Sequence, residues 1–124
     1  MATILIVEDD PKQLRLYSKV LRGHRLNCVA TGTAALKSMA ESLPDLILLD
    51  HLLGAGERGT DFLPQLKEIS GQVPIVVISG SLNIRQQLHL LQGAGSADYV
   101  LDKPVDLDDL ELTVKSALGR NRGG

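Results

Sequence analysis

The chain is poor in aromatic residues, with one Phe, two Tyr and no Trp among 124 residues. That scarcity excludes a base-stacking platform or an aromatic sugar-binding face, since both need several exposed rings. A single cysteine, Cys28, rules out an internal disulfide; it reads as a small buried apolar side chain. No apolar run approaches the roughly 20 residues that span a bilayer, and no N-terminal stretch is laid out like a signal peptide. Positive charge is not in excess either. Thirteen basic and fifteen acidic residues give a net charge of −2 and a pI near 5.9, which leaves no footprint for direct nucleic-acid contact or for an anionic membrane. A cytoplasmic location with no membrane association is the expectation. The length suits one domain with one core and is too short for two.

What the chain does have is a series of apolar runs separated by helical patterns. The central one, Leu46-Ile47-Leu48-Leu49, is unbroken, is preceded by Pro44-Asp45 and ends on Asp50. Such a run lacks alternation and is too short for a helix, so it reads as a strand buried on both faces of a parallel sheet. Similar strands are expected at 2–7, 26–30, 73–78 and 97–101. Between them lie helical stripes. Leu14, Tyr17 and Leu21 follow an Asp10-Pro11 start and end near Gly23; Leu36, Met39, Ala40 and Leu43 form the second. Phe62, Leu66 and Ile69 form a third that begins near Asp61, because Pro64 is tolerated only in a first turn. Ile84, Leu88 and Leu91 form a fourth, capped by Ser81, and Leu107, Leu110, Val114 and Leu118 a fifth whose opening acids Asp106, Asp108 and Asp109 suit the positive helix end. Residues 119–124 have nothing to bury and read as a flexible tail behind a single domain at 2–118.

Five β-then-α units imply an α/β fold: one doubly wound, five-stranded parallel sheet of order 2-1-3-4-5 flanked by five helices, flavodoxin-like. In such sheets ligands bind outside the carboxyl ends of the strands. Glu8 and Asp9 follow the first strand and Asp50 ends the third, which that order makes its neighbour. Two unit charges about 4 Å apart repel by about 4 kcal/mol at an effective dielectric of about 20, so this cluster calls for a cation. All-oxygen ligands suit Mg²⁺, which shares its shell with waters and phosphate. Ser79 ends the fourth strand and Lys103 follows the fifth, adding a hydroxyl and an ammonium. Together these groups describe a place to hold a phosphoryl group.

At these residues the chain resembles the receiver domain of two-component response regulators, over nearly its whole length. Glu8-Asp9, Asp50, Ser79 and Lys103-Pro104 stand in the family's order and spacing. The resemblance implies that Asp50 accepts a phosphoryl group from the phosphohistidine of a histidine kinase or phosphotransfer protein. It implies that Asp9, Asp50 and the backbone carbonyl of Leu52 ligate Mg²⁺ while Glu8 acts through water. Lys103 would pair with the phosphoryl oxygens, Ser79 would move to bond one of them, and the Lys103–Pro104 bond would be cis. Such a chain catalyses its own phosphorylation and slow loss of phosphate, without conventional substrate turnover, and switches protein–protein contacts. With no output pattern recognised after Leu118, the chain reads either as a stand-alone receiver or as one cut from a longer chain, its output passing to a separate partner or to an output domain, and a homodimer is open to it.

Three departures mark the chain. The family commonly has Pro four residues and Gly eight residues beyond the acceptor; here stand Gly54 and Arg58, with a glycine at Gly59. Val100 occupies the aromatic switch position, with Tyr99 displaced onto the opposite strand face. Gly80 stands where Ala is usual.

Competing readings are weighed by residue. Gly54 to Gly59 spells G-x-G-x-x-G, but the turn is not tight against a strand end and carboxylates beside it would repel a pyrophosphate. An aspartyl-phosphate phosphatase would need a second Asp at position 52, which is Leu52, and a flavin carrier would need hydroxyls where Glu8-Asp9-Asp10 stand. A degenerate receiver serving only as an interaction module would be expected to lose a member of the set. Asp10 reads as a cap rather than a ligand. His24, His51 and His89 lack metal-ligand spacing and read as surface or near-surface residues.

Overall fold

The computed structural model describes residues 2–53, 57–80, 86, 89 and 97–122. Five strands, β1 (Thr3–Val7), β2 (Arg25–Val29), β3 (Leu46–Asp50), β4 (Ile75–Ser79) and β5 (Tyr99–Asp102), form one parallel sheet of order β2-β1-β3-β4-β5. Helices α1 (Pro11–Val20) and α4 (Leu107–Arg122) pack one face, where Ile4, Ile6, Leu48 and Ile78 meet Tyr17, Leu21, Leu110 and Val114. Helices α2 (Gly32–Glu41) and α3 (Leu63–Ser70) cover the other, where Leu5, Val7, Leu49 and Val77 meet Ala35, Met39, Leu63 and Leu66. Every residue of β3 and β4 is buried, as continuous apolar runs between two helix layers require. The fourth helix expected from Ile84, Leu88 and Leu91, with Ser81 as its cap, falls outside the described residues. Among the described residues no helix is long and apolar enough to cross a membrane.

Local chemistry fixes where the elements start. Asp10 caps α1 by accepting a hydrogen bond from the Lys12 amide at 2.9 Å, with Pro11 in the first turn. Asp106 does the same for α4, accepting from the amides of Asp108 and Asp109 at 2.9 and 3.1 Å. A short 3-10 turn, Gly59–Phe62, precedes α3, so the α-helix itself begins at Leu63, slightly later than Pro64 alone suggests.

Four readings of the sequence need correction. Cys28 is exposed, because β2 is the edge strand and its outer residues lack a covering layer. Ala40 and Leu43 are exposed; α2 buries the Ala35–Met39 side instead. Ile69 is exposed too, because the sheet-facing side of α3 is set by Leu63 and Leu66. The last helix continues through Gly119 to Arg122, so residues 119–122 are helical rather than a tail.

Candidate functional site

Strand register brings the chemical groups to one edge. Val7 pairs with Leu49, which sets Glu8 beside Asp50 at the next step. Asp50 pairs with Ile78, leaving Ser79 one residue further out on β4. Ser79 pairs with Asp102, and the Ser79 carbonyl accepts from the Lys103 amide at 2.9 Å, so Lys103 leaves the sheet at the same edge. The Lys103–Pro104 peptide bond is cis.

Glu8, Asp50 and Ser79 are buried, whereas Asp9 is exposed. Glu8, Asp9 and Asp50 each offer a carboxylate oxygen within 4.8 Å of the others. The Lys103 ammonium lies 3.0 Å from Asp50 Oδ1 and 3.7 Å from Glu8 Oε1. The Asp50 contact is an ion pair, and Asp50 Oδ1 and Glu8 Oε1 are both buried with no directed hydrogen bond. Glu8 Oε2 accepts from the backbone amides of Asp9 and Asp10 at 3.1 and 3.3 Å, which anchors one side of that carboxylate to the turn after β1.

The electrostatics follow from this crowding. Burial, and then the neighbouring Asp50 carboxylate, push the Glu8 pKa up to about 7 despite the opposing pull of Lys103 and the Asp10 amide. Partial burial works against the Lys103 ammonium, but Asp50, Glu8 and Asp10 outweigh it and hold its pKa above the ordinary lysine value. One ammonium thus serves two buried carboxylates. A cluster with two orphaned carboxylate oxygens and an all-oxygen donor set is chemically suited to a hard divalent cation.

Beyond Asp50 the chain doubles back. The His51 amide donates to the Ile78 carbonyl at 2.9 Å, Leu52 pairs with Arg58 in an isolated antiparallel bridge, and the Leu53 amide donates to the Glu57 carbonyl at 2.7 Å. The Gly59 amide closes the return on the His51 carbonyl at 2.7 Å, and the His51 ring meets the Thr60 hydroxyl at 2.8 Å. A Cβ at position 59 would overlap the Asp50 carbonyl oxygen. This is the physical reason for a glycine at Gly59, and it is unrelated to phosphate binding. Gly54 and Gly56 fall outside the described residues.

All of Glu8, Asp9, Asp50, Ser79 and Lys103 reach the same edge, and Leu52 follows Asp50 with its side chain turned out. His24, His51 and His89 do not join them. Two participants escape sequence reasoning. Glu57 reaches back 25 residues to cap α2, accepting from the Gly32 amide at 2.8 Å, and no local pattern announces a contact of that span. At Gly32 any Cβ would strike the Phe62 ring, so α2 and the 3-10 turn approach closely.

Comparison with known proteins agrees with this architecture. Residues 4–115 match the model of the response regulator receiver domain. The DNA-binding response regulator MtrA of Mycolicibacterium smegmatis is 36% identical over 120 residues, covering 95% of this chain and 51% of MtrA. The transcriptional regulatory protein ZraR of Klebsiella oxytoca is 30% identical over 121 residues, 96% of this chain and 27% of ZraR. The chain thus spans about half or less of these relatives. The crystal structure of the NtrX receiver domain from Brucella abortus superposes with a TM-score of 0.83 at 28% identity, covering 93% of this chain and 97% of that one. A CheY-like receiver domain protein from Methanospirillum hungatei JF-1 shares the fold with a TM-score of 0.88 at 24% identity, over 99% and 98% of the two chains. With the parallel 2-1-3-4-5 sheet and the acidic edge in place, the chain belongs to the response regulator receiver domain family.

Proposed function

We propose that this receiver domain takes a phosphoryl group on Asp50 from a phosphohistidine of a kinase or phosphotransfer protein, and that Mg²⁺ assists. The observation that carries the reading is the buried Asp50 carboxylate, 3.0 Å from the Lys103 ammonium and grouped with Glu8 and Asp9. An Asp50 carboxylate oxygen attacks phosphorus, the P–N bond to the donor imidazole breaks, and an acyl phosphate forms at Asp50. The imidazole leaves with the electron pair of that bond and takes a proton from solvent. Lys103 neutralises one of the phosphoryl oxygens as they arrive, and the Ser79 hydroxyl, on the next strand, donates to another.

Asp9, Asp50 and the Leu52 carbonyl would hold the metal directly, with Glu8 acting through a bound water. Bound there, Mg²⁺ supplies charge neutralisation for the phosphoryl oxygens and the acid cluster. Output runs through protein–protein contacts, either to a separate partner or to a further domain such as those carried by the longer relatives.

The test is uptake from a small donor, acetyl phosphate. Intact-mass measurement should show one phosphoryl adduct on the wild-type chain with Mg²⁺, none in chelator, and none on Asp50→Asn. An adduct of equal yield on the variant would move the acceptor elsewhere.

A further inference from the structure

Four buried side-chain oxygens have no hydrogen-bond partner among the described residues: Glu8 Oε1, Asp50 Oδ1, Tyr17 hydroxyl and Ser70 Oγ. Ser70 closes α3 at the far edge of the sheet, where that helix returns to β4. The other three involve the acid edge. Two are carboxylate oxygens, which when ionised can only accept; the third is a phenol, which can donate. A buried donor and buried acceptors left unmatched are each costly to desolvate, and one contact would satisfy two of them.

Tyr17 is placed to supply it. Its side chain is 1% exposed, and it belongs to α1, the helix that begins directly after the Glu8-Asp9-Asp10 turn. Long side chains on a helix lean toward its N-terminus, a tendency that favours a Tyr17 ring directed back toward that turn. A tyrosine hydroxyl is protonated at neutral pH and is therefore a donor, and Glu8, Asp50 and Asp10 lie near enough to act on it electrostatically. Glu8 is the better acceptor of the two. Asp50 Oδ1 has Lys103 at 3.0 Å, whereas Glu8 Oε1 has the same ammonium only at 3.7 Å. Glu8 Oε2 is already occupied by two backbone amides, so a donor on Oε1 would fix the carboxylate plane.

We propose that Tyr17 is a positioning residue of the acid cluster: its hydroxyl donates to Glu8 Oε1 through one bridging water, and so orients Glu8 toward a bound divalent cation. This rests on the cation site of the functional reading above. Packing alone would be served equally by phenylalanine, which makes the hydroxyl the discriminating group.

The experiment is a calorimetric Mg²⁺ titration of the wild type, Tyr17→Phe and Tyr17→Leu at neutral pH. Loss of an outer-shell partner typically costs about tenfold or more in metal affinity, so both variants should bind Mg²⁺ about tenfold more weakly with unchanged stoichiometry. Phosphorylation of Tyr17→Phe by acetyl phosphate should then need more Mg²⁺ for half-maximal rate and recover at saturation. Metal-free thermal stability of Tyr17→Phe should stay close to that of the wild type or fall modestly, since the ring stays and one hydrogen bond to the acid cluster goes. Equal Mg²⁺ affinity in wild type and Tyr17→Phe would overturn the proposal. A wild-type chain that binds no Mg²⁺ would instead overturn the functional reading beneath it.

Discussion

Leu52 stands two residues beyond Asp50, and its side chain is 56% exposed, so it is available at the mouth of the site rather than used in the core. An acyl phosphate at Asp50 is hydrolysed by a water attacking phosphorus in line. A leucine offers that water no hydrogen bond and sets apolar surface in its approach. The bridge between Leu52 and Arg58 fixes the backbone that carries it. Losing an orienting group from a positioned water commonly costs about 10²-fold in rate, near 2.7 kcal/mol. The phosphorylated state should therefore be long-lived, and Leu52→Asn should shorten it by up to about 10²-fold. The measurement is the decay of phosphorylated protein, followed by intact mass after the donor is removed. If the asparagine variant loses phosphate no faster, Leu52 is not the gate. At this scale the sequence was readable wherever a residue's role follows from its chemical type and chain position, as for Asp10 as a cap and Lys103 after β5. Gly59 was visible only as a glycine out of its usual place. Its reason, the carbonyl of Asp50 against its α-carbon, exists only once the loop has folded back.

Among the elements, β5 carries the departure that matters most for signalling. Adjacent residues of a strand face opposite sides, and Tyr99 packs with the α1/α4 cluster while Val100 packs with the α2/α3 cluster. The ring is thus on the wrong face to follow Ser79 when that hydroxyl engages a phosphoryl oxygen, and Val100 is too small to report the motion by a large rotation. A muted response along β5 and α4 is expected. Amide shift mapping with a beryllofluoride mimic should show the largest changes around residues 50–52 and 79–80 and small ones at 99–102 and 107–118. Large shifts centred on Tyr99 would show that the displaced ring does serve as the switch. The central strands were legible because an unbroken aliphatic run between turn residues has few other solutions. The edges were not. Residue type marked Cys28 as apolar, and periodicity marked Leu43, without saying that β2 and the end of α2 lie where one covering layer is missing. Gly119 looked like a stop, yet a glycine inside a helix costs only about 1 kcal/mol, and the burial of Ala117 and Leu118 just before it offsets that.

For the molecule as a whole, the acid cluster makes stability depend on pH in an unusual direction. Most carboxylates in folded proteins have lowered pKa values and stabilise as pH rises. Glu8 does the reverse, because burial and then Asp50 raise its pKa from 4.5 to about 7. Between those values the native state binds more protons than the unfolded chain, so the slope of stability with pH is negative. The contribution is fully present below about 4.5 and is lost as pH rises through about 7. Its size is a few kcal/mol at most, from about 1.4 kcal/mol per pKa unit. His51 opposes it lower down: burial, and then Arg58, lower its pKa below 6.5, so the native state binds fewer protons there and stability rises toward pH 6.5. Lys103, raised above 10.5, contributes no slope near neutrality. The window just above pH 6.5 therefore belongs to Glu8. A bound divalent cation favours the ionised carboxylates and reverses the local logic. Urea unfolding of the metal-free protein across pH 6.5 to 8 should show falling stability, and Glu8→Gln should flatten that fall. Saturating Mg²⁺ should flatten it in the wild type and stabilise the fold more at pH 8 than at pH 6.5. A metal-free stability that rises steadily across this range in both proteins would mean that Glu8 is already ionised at pH 6.5, with Lys103 sufficient to hold both buried carboxylates.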